Sequence, residues 1–421
     1  MLRNKLKLLS VLFIIIIAFP FRIREKIIIF NSVSIFDIAL LIFSIVLLLY
    51  VFYNDGKLYV GKKFIFLLLC IHLLIGLFSI VWSKDIAETF YYIIVDTEAV
   101  LSYLVTVNLL RKSKSEWTMS LMAILSLLII IPSILSYFRM PGFTPYIPYE
   151  IGSIKYNVFI ASYYTRLSSP FFGLSNNLAT VLAYFFFPIW TWWIISGKRS
   201  YLLLTSIILV SIIMTISKGV LISIAITIPF FIYWQKVRIK LIIQPIFLAI
   251  ILCAAGFAAV YAFSGQFRIY APYLFSIRRI IFVEGIERLQ RYEAALSLIG
   301  NSPLYGYGAK VIPPDFGFQG NIHNTYLEQM VYFGIPLGMI SIASLTFLPF
   351  GFERGSWKRN LFSRVRAGIV SAIVCQLVIF ITESSFEGST LKVLFYVSIG
   401  LSVALINSLT QQLHELQKVE L

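Results

Sequence analysis

Apolar residues in this chain are grouped in runs of about 20, divided by short links rich in Lys, Arg, Gly and Pro. A helix of that length crosses the ~30 Å hydrocarbon core of a bilayer. The pattern predicts twelve spans, at 8–21, 36–54, 64–82, 88–110, 117–137, 177–196, 200–216, 219–235, 241–263, 324–348, 366–383 and 391–409. It is least regular at 88–110, which carries Glu88, Asp96 and Glu98, and across 200–216 and 219–235, which nearly touch. The opening MLRNKLKLLSVLFIIIIAF has the form of a signal peptide, but PFRIREK follows where small residues would mark cleavage. It reads as a retained first span.

Two intervals do not suit lipid. The first, 138–176, mixes aromatics with turn formers, and the second is 264–323. Within the second, IRRIIFVEGIERLQRYEAALSLIG (277–300) mixes apolar and charged positions as a helix does, and predicts an element lying along the membrane surface. Gly300, Asn301, Pro303, Gly306, Gly308, Pro313 and Pro314 then end that helix and fold the chain back. The expected fold is an all-α polytopic membrane protein, a single integral domain over 1–421. Its two large loops, 138–176 and 264–323, lie outside, and the second bears interfacial helices and the active site.

Composition agrees: 59% of the 421 residues are hydrophobic, against roughly 45–50% apolar in soluble domains. The net charge of +16 sorts by side. Links beginning with Arg3, Lys5 and Lys7 and ending with Lys418 hold 20 of the 35 Lys and Arg but five of the 19 Asp and Glu. Such an excess in short loops marks the cytoplasmic face. Both termini are therefore expected in the cytosol, and 264–323 on the periplasmic or outer face of the cytoplasmic (inner) membrane. The charge is a topology signal answered by anionic lipid headgroups, and nucleic acid is not an expected partner. Cys70, Cys253 and Cys375 sit in apolar runs without CxxC spacing and read as buried thiols.

Chemistry gathers in the outer links. His323 is one of three histidines, and Arg288 and Arg291 stand three apart on a predicted helix. Lys218 falls in a tight outer hairpin between apolar spans, where a charge costs about 3 kcal/mol by insertion scales. Arg166, Asn324, and the carboxylates Glu383 and Glu387 of ITESSFEGST complete the set, with Glu328 just inside a span. Fixed positive charge beside an imidazole suggests a site for an anionic, lipid-linked substrate. Structural roles compete: Glu287 pairing for Arg291, helix capping for Asn324, snorkelling for Arg166, and an aromatic belt for Tyr146, Tyr149, Tyr156, Tyr163 and Tyr164. His72 is placed in a core and His414 in the tail. Without a DxD pair or a His/Asp/Cys cluster, neither a metal nor a cofactor is expected.

Four blocks, in order, resemble the O-antigen polymerase and O-antigen ligase superfamily. They are RLSSPFFGLSNNLATVLAY (166–184), TISKGVLISIAI (215–226), RYEAALSLIGNSPLYGYGA (291–309) and HNTYLEQMVYFGIPLG (323–338). The resemblance implies a metal-independent membrane glycosyltransferase with an undecaprenyl-pyrophosphate-linked glycan donor and a lipid-linked or lipid A-core acceptor. Room is left for a chain-length regulator. The favoured function is polymerisation of lipid-linked repeat units into a surface polysaccharide. The alternatives are ligation of the glycan to lipid A-core or protein, and a non-enzymatic lipid-linked oligosaccharide flippase. His323 is then expected to activate the acceptor hydroxyl and Arg291 to hold the pyrophosphate, with Lys218, Arg166, Arg288, Asn324 and Glu387 binding substrate. Lys218 departs from the arginine of many relatives, keeping the charge but losing the planar fork.

Overall fold

The computed structural model describes residues 2–18, 28–30, 33–138, 167–168, 175–235, 239–263, 284–313, 316–318, 322–352, 361–383 and 389–419. The helices among them are α1 (Leu2–Ala18), α2 (Ile35–Asp55), α3 (Lys63–Ser79), α4 (Ile86–Leu109), α5 (Ser115–Tyr137), α6 (Ser175–Ser196) and α7 (Arg199–Met214). They continue with α8 (Lys218–Gln235), α9 (Ile239–Phe263), α10 (Glu284–Asn301), α11 (Thr325–Thr346), α12 (Leu361–Ile379) and α13 (Ser389–Val419). A 3-10 turn, Leu348–Phe352, follows α11, and a short antiparallel hairpin pairs Ile28–Phe30 with Val33–Ser34. The fold is all-α, as the hydrophobic pattern predicts, and each predicted span overlaps one helix. Among the described residues eight helices are long and apolar enough to cross a bilayer, while α3, α7 and part of α9 are apolar but shorter. The chain is a multi-pass membrane protein. The interval 138–176 lies almost wholly outside the described residues, as does 264–283.

In the irregular span α4, the charge of Asp96 has a partner inside the protein. Asp96 and Lys392 are both fully buried and form an ion pair joining α4 to α13. The Lys392 ammonium also sits 3.8 Å from the centre of the Tyr92 ring. Nearby, His72 of α3 lies between the Ser341 and Ser344 hydroxyls of α11, each 3.0 Å from a ring nitrogen. This is the core position expected for it.

Helix α11 is broken. Gly334 takes φ 73° and ψ 175°, and Pro336 follows, so the helical ladder cannot run through. Carbonyls released at the break are taken up by the turn after α10. Tyr307 donates to Val331 O at 3.1 Å and Gly308 to Tyr332 O at 2.9 Å, while Ile335 donates to Pro303 O at 2.7 Å. A Cβ on Gly306 would run into the backbone of Tyr332 and Gly334, and one on Gly334 into that of Leu304. The Pro-x-x-Gly-x-Gly turn is thus a plug fitted to a helix break.

Helix α10 is anchored with it. Ala295, Leu298 and Ile299 pack with Tyr307, Val311, Phe316, Ile322, Val331 and Phe333 in a second hydrophobic core. The amphipathic helix read from the sequence exists from Glu284, with Ala295, Leu298 and Ile299 covered by protein and Ile286, Leu289 and Leu296 exposed. We expect Asp96→Ala and Lys392→Ala each to cost about 3–5 kcal/mol, since either leaves a buried charge alone. Joint replacement by Leu and Met should recover most of that loss. Unfolding midpoints in detergent check both outcomes.

Candidate active site

Three helix N-termini meet the end of α12 at one place. The α11 start is set by Asn324, whose side chain accepts from Leu327 N at 3.1 Å, an N-cap. The next residue, Thr325, ties α11 to the turn after α12: its N–H donates to Phe380 O at 2.9 Å and its hydroxyl to Glu383 O at 2.7 Å. Asn176, one residue into α6, donates to Glu383 Oε1 at 3.0 Å. Gly219, one residue into α8, lies so close that a Cβ there would meet the Thr382 hydroxyl and approach Glu383 Oε1 to 3.5 Å. Lys218 is half-buried beside it and opens that helix.

The Glu383 carboxylate is the hub. It is 6% exposed, and besides Asn176 it meets Arg288 of α10, with Nη2 3.3 Å from Oε1. Arg288 also donates from Nη1 to Thr382 O at 2.9 Å. On the other carboxylate oxygen, His323 Nδ1 stands 3.8 Å from Oε2, with its side chain 35% exposed. That separation exceeds a hydrogen bond, and a shift of about 1 Å closes it. The cluster therefore has a cation, an imidazole half open to solvent, and three helix N-termini whose dipoles favour negative charge.

Arg291 takes another direction. Three residues is less than a full turn, so Arg288 and Arg291 point about 60° apart around the helix axis. Arg291 shares the buried face of Ala295 and Leu298, is 7% exposed, pairs with Glu287 at 2.8 Å and stacks its guanidinium 5.2 Å over Phe318. The Glu287 pairing weighed from the sequence is present, and Arg288 is the arginine on the carboxylate hub. Asn324 fills the capping role that competed with substrate binding. Arg166 and Glu387 lie outside the described residues. Leu167, next to Arg166, is buried and donates to Met214 O at 2.8 Å, at the end of α7.

Of the two carboxylates in ITESSFEGST, Glu383 makes the contacts given above, and Glu387, the one expected to bind substrate, lies outside the described residues. Asn176 enters the sequence analysis only within the block RLSSPFFGLSNNLATVLAY and Thr325 only within HNTYLEQMVYFGIPLG, although each stands where a polar residue opens an apolar run. Among the described residues no three His, Cys, Asp or Glu side chains come together as a metal site would require. A narrow, mostly apolar crevice lined by Thr180, Tyr184, Gln376, Phe380 and Phe395 lies between α6, α12 and α13, one helical turn from Asn176 and Glu383.

Comparison with known proteins gives one family. The model described as O-antigen ligase matches residues 203–342, from α7 into α11. The matched stretch includes Lys218, Arg288, Arg291, His323 and Asn324, and stops short of Glu383. It bears out the resemblance to the O-antigen polymerase and ligase superfamily, and indicates a membrane glycosyltransferase of that type. No curated protein matches the chain.

Removing the hub should be felt in stability. Glu383→Ala strands the Asn176 amide and Arg288, and is expected to cost about 2–3 kcal/mol. Glu383→Gln, which still accepts from Asn176, should lose less than half of that. Thermal unfolding of the purified variants reads the difference.

Proposed function

We propose that this chain transfers a glycan from an undecaprenyl-pyrophosphate carrier to an acceptor hydroxyl, joining lipid-linked repeat units into a surface polysaccharide. The observation that carries the reading is the convergence of Arg288, His323 and three helix N-termini on Glu383. Breaking the bond between the anomeric carbon and a pyrophosphate oxygen builds negative charge on the leaving group. Arg288, Lys218 and the N-termini of α6, α8 and α11 offer preorganised stabilisation for that charge. Arg291 supports them from the same helix and keeps its place as a candidate pyrophosphate ligand.

On the other side of the reaction, the acceptor hydroxyl must lose its proton. His323 accepts it, and Glu383 orients the imidazole and steadies the imidazolium that forms. In this account no divalent ion takes part. The site faces the periplasm or cell exterior, with both termini in the cytosol, because the basic links lie at the opposite end of the spans. Arg166 and Glu387, on links at the same side, belong to the proposed substrate-binding set. A second reading, ligation to lipid A-core or protein, is favoured by the description of the matched family.

Proteoliposomes supplied with a synthetic lipid-pyrophosphate oligosaccharide and a chelator test the proposal. Wild-type protein should release lipid pyrophosphate. We expect His323→Ala to lower kcat about 10²–10³-fold and Arg288→Ala by about 10²-fold. Near-normal turnover by His323→Ala, Arg288→Ala and Arg291→Ala alike would overturn the site. Chain growth on repeat units alone marks a polymerase; transfer only when lipid A-core is added marks a ligase.

A further inference from the structure

His323 has a backbone feature that the reaction alone does not explain. Its φ is 61°, in the left-handed region. A residue with a Cβ stays there only where its surroundings hold it, and such residues gather at functional sites. The peptide on the far side of the hub, Ile381, belongs to the turn that presents Glu383.

One side chain touches both. The Tyr292 hydroxyl of α10 lies 3.2 Å from His323 O and 3.2 Å from Ile381 O. Having a single proton, it is shared between the two carbonyls or alternates between them. Asn324, the cap of α11, lies next to His323 in the chain and acts with Arg288 to favour the ionised form of the Tyr292 hydroxyl. Burial raises the Tyr292 pKa above the ordinary tyrosine value, with Arg288 pulling the other way, so the hydroxyl remains a donor at neutral pH. Arg288, Glu383 and Glu328 are the charged groups that face it.

We infer that Tyr292 is a positioning residue: its hydroxyl latches the left-handed His323 peptide to the Ile381–Glu383 turn and so fixes the imidazole against the carboxylate. The inference rests on the proposed reading of the site for its effect on turnover, but the latch itself is a matter of backbone geometry. Loss of the hydroxyl frees His323 to relax to an ordinary conformation, carrying the imidazole away from Glu383. Binding of the lipid pyrophosphate, which falls to Arg288, Lys218 and the helix N-termini, is left nearly intact.

Tyr292→Phe tests this with two readouts. With the lipid-pyrophosphate donor, kcat should fall about ten- to a hundredfold while KM stays within about twofold. In protein labelled with [13C]histidine, the His323 Cα shift, which reports φ, should move toward an ordinary extended or helical value; with only three histidines in the chain, its signal is readily assigned. An unchanged His323 shift overturns the latch, and an unchanged kcat overturns its part in turnover. If wild-type protein turned over no lipid pyrophosphate, the proposed reaction would fail while the shift still decided the latch. Should Tyr292→Phe not fold, 3,5-difluorotyrosine at position 292 replaces it. Its phenol ionises closer to neutrality and, once ionised, donates to neither carbonyl, so the His323 shift should move as pH rises; no movement overturns the latch.

Discussion

A carboxylate taken out of water at a membrane boundary persists only where positive charge and donors surround it. Glu383 is such a group, held by the Asn176 amide and the Arg288 guanidinium at the point where α6, α8 and α11 begin. The same field that holds one anion is suited to hold another. In the proposed reaction a pyrophosphate enters that field, and Glu383 is released to turn toward His323. Placement of the remaining parts follows from the need to bring four chain segments, distant in sequence, to one carboxylate.

Two devices keep those segments in place. The first is the break in α11, where Gly334 opens the helix and the turn at 303–308 supplies the missing partners. That turn fixes the end of α10, and with it the arginines, relative to His323 at the start of α11. The second is the Asp96–Lys392 pair, which locks α4 to α13 within the bundle. Both place polar backbone or charge inside protein rather than against lipid, the one setting in which a membrane tolerates them.

Much of this was legible before any coordinates. Runs of about 20 apolar residues dictate helices: each of the twelve overlaps one, and among the described residues eight are long and apolar enough to cross a bilayer. Scarcity drew attention to His323, and the turn residues after Gly300 announced a chain reversal. What the sequence could not give was the partner of each charge. Arg288 and Arg291 look equivalent at a spacing of three, yet a 60° difference in direction sends one to Glu383 and the other into a packed face. Glu383 and Glu387 stand four apart in one short link, and nothing in that local pattern says that Glu383 meets Asn176 and Arg288. The break at Gly334 and the plug at Gly306 are a contact between segments nearly 30 residues apart, where local pattern says nothing. Asp96 and Lys392, though, carried a readable signal: charges inside spans ask for each other.

The central claim is that the helix N-termini around Glu383 form the anion site. It is tested most directly by a structure in lipid nanodiscs with a non-hydrolysable polyprenyl phosphonophosphate. The expected result is density for the two phosphorus groups between Arg288, Lys218 and the starts of α8 and α11, within hydrogen-bond reach of at least one of those cations. A head group bound at the other end of the bundle, or at this end but away from Glu383 and His323, would contradict the account.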